Sequence, residues 1–220
     1  MTRRRLYLMR HADVAYFDAD GRPVRPNEVS LTSAGIAQAR SAAAALAGTR
    51  FDRVVTSGLP RTVETAAIVA PGLDSEAWPE LREIEPGGLG AVADAEVEDA
   101  FLAVFAGAVP LERRFLGGET VGSLLDRVLP ALERLLADPE WDVVLAVLHG
   151  GVNRAILSYA LSGERIFFGG LEQAPACINV LDVGDDWVVR AVGLAPYDLV
   201  HAGTRQTTME LLYEQYRGIG

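Results

Sequence analysis

Apolar residues in this chain fall in short runs that alternate with amphipathic stretches. Leu6–Met9 is one such run, and it ends on Arg10 and His11. It predicts a buried strand that delivers two polar residues at its carboxyl end. After a loop rich in Asp, Gly and Pro (18–26), Ser30-Leu31-Thr32-Ser33 offers capping hydroxyls to an alanine-rich helix over 34–47, stopped by Gly48. Residues 51–55 predict a second strand, ending at Thr56-Ser57. Pro60 suits the first turn of a helix running to residue 70, where Pro71-Gly72 ends it. The stretch 78–90 reads as loop, and 94–117 as a mixed helical and loop insert. Helical periodicity returns over 119–137, with Val121, Leu124, Leu125, Val128 and Leu132 on one stripe. The most hydrophobic strand spans 142–148 and ends on His149. Gly150-Gly151 then leads into an apolar helix over 152–161. Residues 176–183 and 187–192 predict a strand pair turned at Gly184–Asp186, and 207–216 a final helix.

Strands alternating with helices imply an α/β fold: a three-layer sandwich with a mostly parallel central sheet and helices on both faces. No linker-like stretch divides the 220 residues, so 1–220 is read as a single domain, with 94–117 placed to cover a substrate. In such sheets ligands bind beyond the carboxyl ends of the strands. Three expected strands end on Arg10-His11, Thr56-Ser57 and His149, so these groups should converge.

Formal net charge is −10, and the field it creates repels nucleic acid and anionic membranes. An anionic substrate would need local arginines to overcome that field. All 20 basic residues are arginine, which excludes Schiff-base chemistry on lysine and a P-loop lysine. Cys177 is the only cysteine and lies in an apolar run, so it reads as a small buried hydrophobe in a reduced, cytoplasmic setting. Arg3–Arg5 precede too short an apolar run for a signal peptide, and no window of about 18 uncharged apolar residues could span a membrane.

A lone histidine after a strand would be read as a loop cap. Arg10 changes that for His11: a guanidinium disfavours protonation of the neighbouring ring, leaves a lone pair for attack, and can grip phosphate oxygens at two points. Arg61 follows Pro60 at a helix start, where a cation opposes the dipole unless an anion binds between them. Phosphoryl transfer from an alkyl ester needs a proton donor to the leaving oxygen. Glu83, Glu85 and Asp13 are the carboxyl candidates. A protonated His149 could donate to charge building on the transferring oxygens, and Gly150 lets backbone and ligand approach closely.

Leu8-Met9-Arg10-His11-Ala12 resembles the Arg-His-Gly signature of the histidine phosphatase superfamily, also called phosphoglycerate mutase-like. Further segments resemble that family in order: Ser30–Thr32 with Gly35 and Gln38-Ala39; Ser57–Arg61 with Thr65-Ala66; Leu81-Arg82-Glu83 with Gly87; Gly118–Thr120 with Arg127-Val128; and Val147–Gly151. Ala12 stands where the family's glycine is expected, Gly58 replaces a common proline, and Asp13–Phe17 departs from the Asn or hydroxyl residue found there in many members. The resemblance implies His11 as nucleophile, Glu83 as general acid and then base, and Arg10, Arg61 and His149 as the phosphate pocket. It implies no metal and no organic cofactor. Gly150 and Asp13 join the substrate contacts.

The activity implied is hydrolysis of a small phosphorylated metabolite through a phosphohistidine. Mutases of the glycolytic type tend to be longer than this chain, which leaves mutase as the alternative. A phosphate-binding regulatory module and a metal hydrolase using His11, His149 and Asp13 are the remaining readings. Retention of both histidines, both arginines and Glu83 opposes the first; the adjacent arginines would repel the cation of the second. His201 reads as a surface or capping residue and Arg113-Arg114 as a solvated charge pair. Trp78 and Trp141 are expected to pack at element ends, and Phe167-Phe168 is read as the contact of a homodimer.

Overall fold

The computed structural model describes residues 3–18, 20–88, 92–203 and 205–218. Its strands are β1 (Arg4–Arg10), β2 (Arg53–Thr56), β3 (Ser75–Ala77), β4 (Val143–Leu148), β5 (Ile178–Val183) and β6 (Trp187–Leu194). Its helices are α1 (Ser33–Ala45), α2 (Pro60–Val69), α3 (Val97–Leu102), α4 (Val121–Ala137), α5 (Gly150–Ser162) and α6 (Thr208–Arg217). One sheet runs in the order β3-β2-β4-β1-β5-β6. The β3–β2, β2–β4 and β4–β1 ladders are parallel, and β1–β5 and β5–β6 are antiparallel. The expected α/β sandwich is therefore present, with its parallel part at the centre and one edge.

Strand alternation sorts the apolar side chains onto two faces. Leu6, Leu8, Val55, Val144, Ala146 and Leu148 join the stripe of α4 and the apolar side of α5 in one core. Met9, Val54, Leu145, Val147 and Ile178 join Ala39, Ala42 and Leu46 of α1 and Ala66 and Val69 of α2 in the other. Helix ends follow local chemistry. Thr32 accepts from the Gly35 N–H at 2.9 Å and Thr120 from the Ser123 N–H at 3.0 Å, and Thr207 with Glu210 forms a capping box on α6. Trp78 and Trp141 are buried at element ends, as expected.

Several details differ from expectation. β3 is a strand within a stretch with no apolar run; its residues are small or polar and at least partly exposed, as an edge permits. Helix α5 begins at Gly150 rather than 152, with His149 as its N-cap residue. Phe167 is 1% exposed inside the chain's own core, so its side chain is not on offer to a second copy, whereas Phe168 is only partly buried. Of the expected loop 78–90, Pro79–Leu81 forms a 3-10 turn, and residues 89–90 lie outside the described residues.

What places the site is the pairing of β1 with β4. Arg10 lies opposite Leu148, and the His11 N–H donates to the Leu148 carbonyl at 2.9 Å. The chain leaving β1 goes to α1 on one face, and the chain leaving β4 goes directly into α5 on the other. Neighbouring parallel strands that diverge in this way open a crevice at their carboxyl ends. Among the described residues, no helix is long and apolar enough to cross a membrane.

Candidate active site

His11 lies at the floor of this crevice, 2% exposed. Its Nδ1 is 2.8 Å from the Ala12 carbonyl. A carbonyl only accepts, so Nδ1 carries the proton and Nε2 keeps its lone pair. The same loop is tied to α2, because the Ala12 N–H donates to Thr65 Oγ1 at 3.0 Å. The ring of His149 stands 5.2 Å from that of His11, centroid to centroid, at 65°. Ser57, at the end of β2, reaches His149 Nε2 at 2.8 Å. The Thr62 hydroxyl gives its proton to the Leu59 carbonyl at 2.8 Å, so it can only accept from Ser57 at 3.2 Å.

Three buried side-chain nitrogens have no hydrogen-bond partner among the described residues: Arg10 Nε, Arg61 Nε and His149 Nδ1. Unpartnered buried donors are rare and expensive. Here they belong to the very groups expected to surround one anion. Arg10 anchors one arm of its guanidinium on the Gln173 carbonyl, and Arg61 one arm on the Pro26 carbonyl. Each keeps the rest of its fork for a ligand. Arg61 is 2% exposed near the amino end of α2, and burial lowers its affinity for the proton.

Glu83 is held over the amino end of α5. Its Oε1 accepts from the Ile84 N–H at 2.9 Å and the Gly151 N–H at 3.0 Å, and Oε2 lies 3.1 Å from the same Gly151 nitrogen. Behind it, Arg127 donates to the carbonyls of Glu80, Arg82 and Glu83 and pairs with Glu119 at 2.8 Å, fixing the acid's segment. A Cβ on residue 150 would lie 3.7 Å from both Glu83 Oε2 and Arg10 Nε, so acid and guanidinium flank the bare backbone of Gly150. A Cβ on residue 151 would meet Glu83 Oε1 at 2.5 Å. Gly151→Ala is therefore expected to push the carboxylate aside. Turnover of alkyl phosphates should fall about 10²-fold, and that of nitrophenyl phosphate much less, because general acid catalysis contributes on that scale only where the leaving group needs it. Equal losses on both esters would contradict this position for the acid.

Burial, then the charges of Arg10 and Arg61, hold His11 well below the ordinary histidine value of 6.5. His149 is depressed by burial, then by His11 and the neighbouring arginines. Both stay neutral in the folded protein while the unfolded chain takes up protons below 6.5. Their contribution to stability is thus complete above that pH and lost as pH falls, at up to about 1.4 kcal/mol per pH unit for each ring. Thermal melts of His149→Asn should show a shallower loss of stability below pH 6.5 than the parent; parallel curves would contradict it.

A cavity of about 580 Å³ opens above these groups. Arg10, Arg61, Glu83 and Gly150 line it; His11 and His149, their neighbours in the chain, are buried and do not line it. Asp13 is placed differently: its carboxylate accepts from the Thr32 hydroxyl at 2.7 Å and its N–H donates to Gln38 at 3.0 Å, which ties the loop to α1. Glu85 is exposed at the mouth. Arg113 pairs with exposed Asp99, Arg114 caps the Gly118 carbonyl, and His201 is exposed in a turn at φ 49°. Cys177 is buried and its thiol pushed up to about 12 by desolvation, far from nucleophilic. Among the described residues, no cluster of three or more His, Cys, Asp or Glu is placed to hold a metal ion.

Sequence reasoning assigned no role to Ser57, Tyr16, Gln173 or Arg154. Tyr16 lies in the cavity wall, and burial raises its phenol pKa. Gln173 links Arg10 to a buried amide network with Asn153 and Asn179. Arg154 spends its guanidinium on the Gly169 carbonyl at 2.8 Å, the Gly150 carbonyl at 3.2 Å and Glu172 at 3.2 Å.

The family model of the histidine phosphatase superfamily (branch 1) matches residues 6–193. The 2-carboxy-D-arabinitol-1-phosphatase of Triticum aestivum is 31% identical over 184 residues, covering 81% of this chain but only 37% of that protein. A probable phosphoglycerate mutase GpmB of Proteus mirabilis is 30% identical over 199 residues, covering 86% of this chain and 92% of its own. The structure of a mycobacterial glucosyl-3-phosphoglycerate phosphatase in complex with VO3 superposes with a TM-score of 0.70 at 26% identity, covering 86% of this chain and 98% of that one.

Proposed function

The chain belongs to the histidine phosphatase superfamily, and from that membership and its site we propose that it hydrolyses phosphomonoesters through a phosphoryl group carried on His11. Nε2 of neutral His11 attacks phosphorus in line with the leaving alcohol. The bond from phosphorus to the alcohol oxygen breaks, and Glu83 gives that oxygen its proton. Water then attacks the phosphohistidine, Glu83 takes a proton back, and inorganic phosphate leaves. Arg10, Arg61 and His149 bear the charge spread over the equatorial oxygens.

The observation that carries this reading is the set of three unpartnered buried side-chain nitrogens, on Arg10, Arg61 and His149, around an imidazole whose Nε2 lone pair is free. The positive charge needed at the transferring group comes from the two guanidiniums, so the proposed reaction is metal-independent. The lone buried cysteine supports a cytoplasmic setting.

Phosphate release from nitrophenyl phosphate, with a chelator present and no bisphosphate primer, tests the reading. Sustained turnover supports a phosphatase. Turnover only with a primer would identify a mutase, and loss of activity on chelation would overturn the metal-independent route.

A further inference from the structure

The phosphate grip accounts for the floor of the cavity; its walls speak to the rest of the substrate. They come from three separate segments. The loop after β1 contributes Tyr16 and Phe17, the insert contributes Phe105 and Phe115, and α6 contributes Leu212 and Tyr216. Resting on the phosphatase reading, we infer that the alcohol half of the substrate is an apolar body, alkyl or aryl, and not a short carboxylated or polyhydroxylated acid.

Charge supports the same assignment. A carboxylate on the alcohol half would need a cation or a group of free N–H donors. Of the four arginines lining the cavity, Arg10 and Arg61 face the phosphate, and Arg154 is committed to two carbonyls and Glu172. Arg82 is exposed and shares the mouth with Glu85, of opposite sign. No buried guanidinium is left uncommitted above the floor among the described residues, and the remaining one, Arg82, is exposed. Size agrees as well. A cavity of about 580 Å³ lies within the range that encloses drug-sized ligands, about 300–1,000 Å³. A three-carbon acid would leave most of this wall facing water, whereas a longer apolar group would displace that water and gain the burial free energy.

A homologous series of n-alkyl phosphates, from ethyl to hexyl, tests this directly, because leaving-group acidity is nearly constant along it. We expect kcat/KM to rise about twofold to fourfold per methylene, on the order of 10²-fold from ethyl to hexyl. Phosphoglycerate should be turned over more slowly than hexyl phosphate. Leu212→Asn and Tyr216→Ser should each flatten the rise. Because the slope is a ratio within one preparation, partial unfolding of a variant cancels from it. A flat series, or phosphoglycerate as the better substrate, would overturn the apolar assignment while leaving the phosphatase reading intact. Absence of turnover on every ester would overturn both.

Discussion

Replacing His11 with alanine is expected to lower the rate of phosphate release by on the order of 10⁴-fold or more, with the fold retained. No other side chain at the site can take over the attack. His149 is fully buried and its Nε2 is engaged by Ser57 at 2.8 Å, which holds the ring in place. The Cys177 thiol is fully buried and its pKa is pushed up to about 12. Glu83 is fixed on the N–H groups of Ile84 and Gly151. The structural cost should be small by comparison, about 1–3 kcal/mol, because the ring's one hydrogen bond is to the adjacent residue's carbonyl. Steady-state kinetics with nitrophenyl phosphate, alongside circular dichroism of the variant, checks both halves. A folded variant within tenfold of the parent rate would refute the assignment.

The second large effect concerns Arg61. Arg61→Met should reduce kcat/KM by about 10²–10³-fold, the scale seen when one donor to a developing oxyanion is removed. The same substitution should leave thermal stability unchanged or raised in phosphate-free buffer. Arg61 is a buried cation near the positive end of α2, close enough to Arg10 for their charges to repel, with its Nε unpartnered. Such a group costs stability until an anion arrives, and Met fills similar space without charge. Inorganic phosphate should therefore stabilise the parent, by about 2.7 kcal/mol at 100 times Kd, and stabilise the variant far less. Calorimetry of both proteins with and without phosphate reads this. A variant that is strongly destabilised yet fully active would show Arg61 to be structural.

The parts of this molecule that were legible from sequence share one physical cause. Buried parallel strands are continuous apolar runs, and polar residues at their ends stand out. His11, Ser57 and His149 were visible for that reason, and the β1–β4 register brings the two histidines together. Thr32 marked a helix start through its capping hydroxyl and Pro60 through its fixed φ, neither of which needs tertiary information. What escaped depends on contacts remote in sequence. Arg154 sits in a helix otherwise apolar on nearly every side, and its partners Gly169 and Glu172 come from the following loop. A charged residue in a run with no polar face was the available signal. Gln173 reads as an ordinary loop residue until Arg10 is seen resting on its carbonyl. Asp13 looked like a substrate contact because it adjoins the histidine motif, yet its carboxylate is placed on the Thr32 hydroxyl. Phe167-Phe168 looked like an apolar loop because its partners are remote: the Val109 N–H donates to the Phe167 carbonyl and the Phe168 N–H to Ser158 of α5.

The central claim is that one imidazole carries the phosphoryl group between ester and water. Rapid acid-free quenching during turnover of nitrophenyl phosphate, followed by mass spectrometry of the digested protein, tests it most directly. The peptide containing His11 should gain one phosphoryl group that is lost in acid and kept in base, and His11→Ala should show none. Steady hydrolysis with no phosphoryl group on that peptide, or with the group on another residue, would contradict the account.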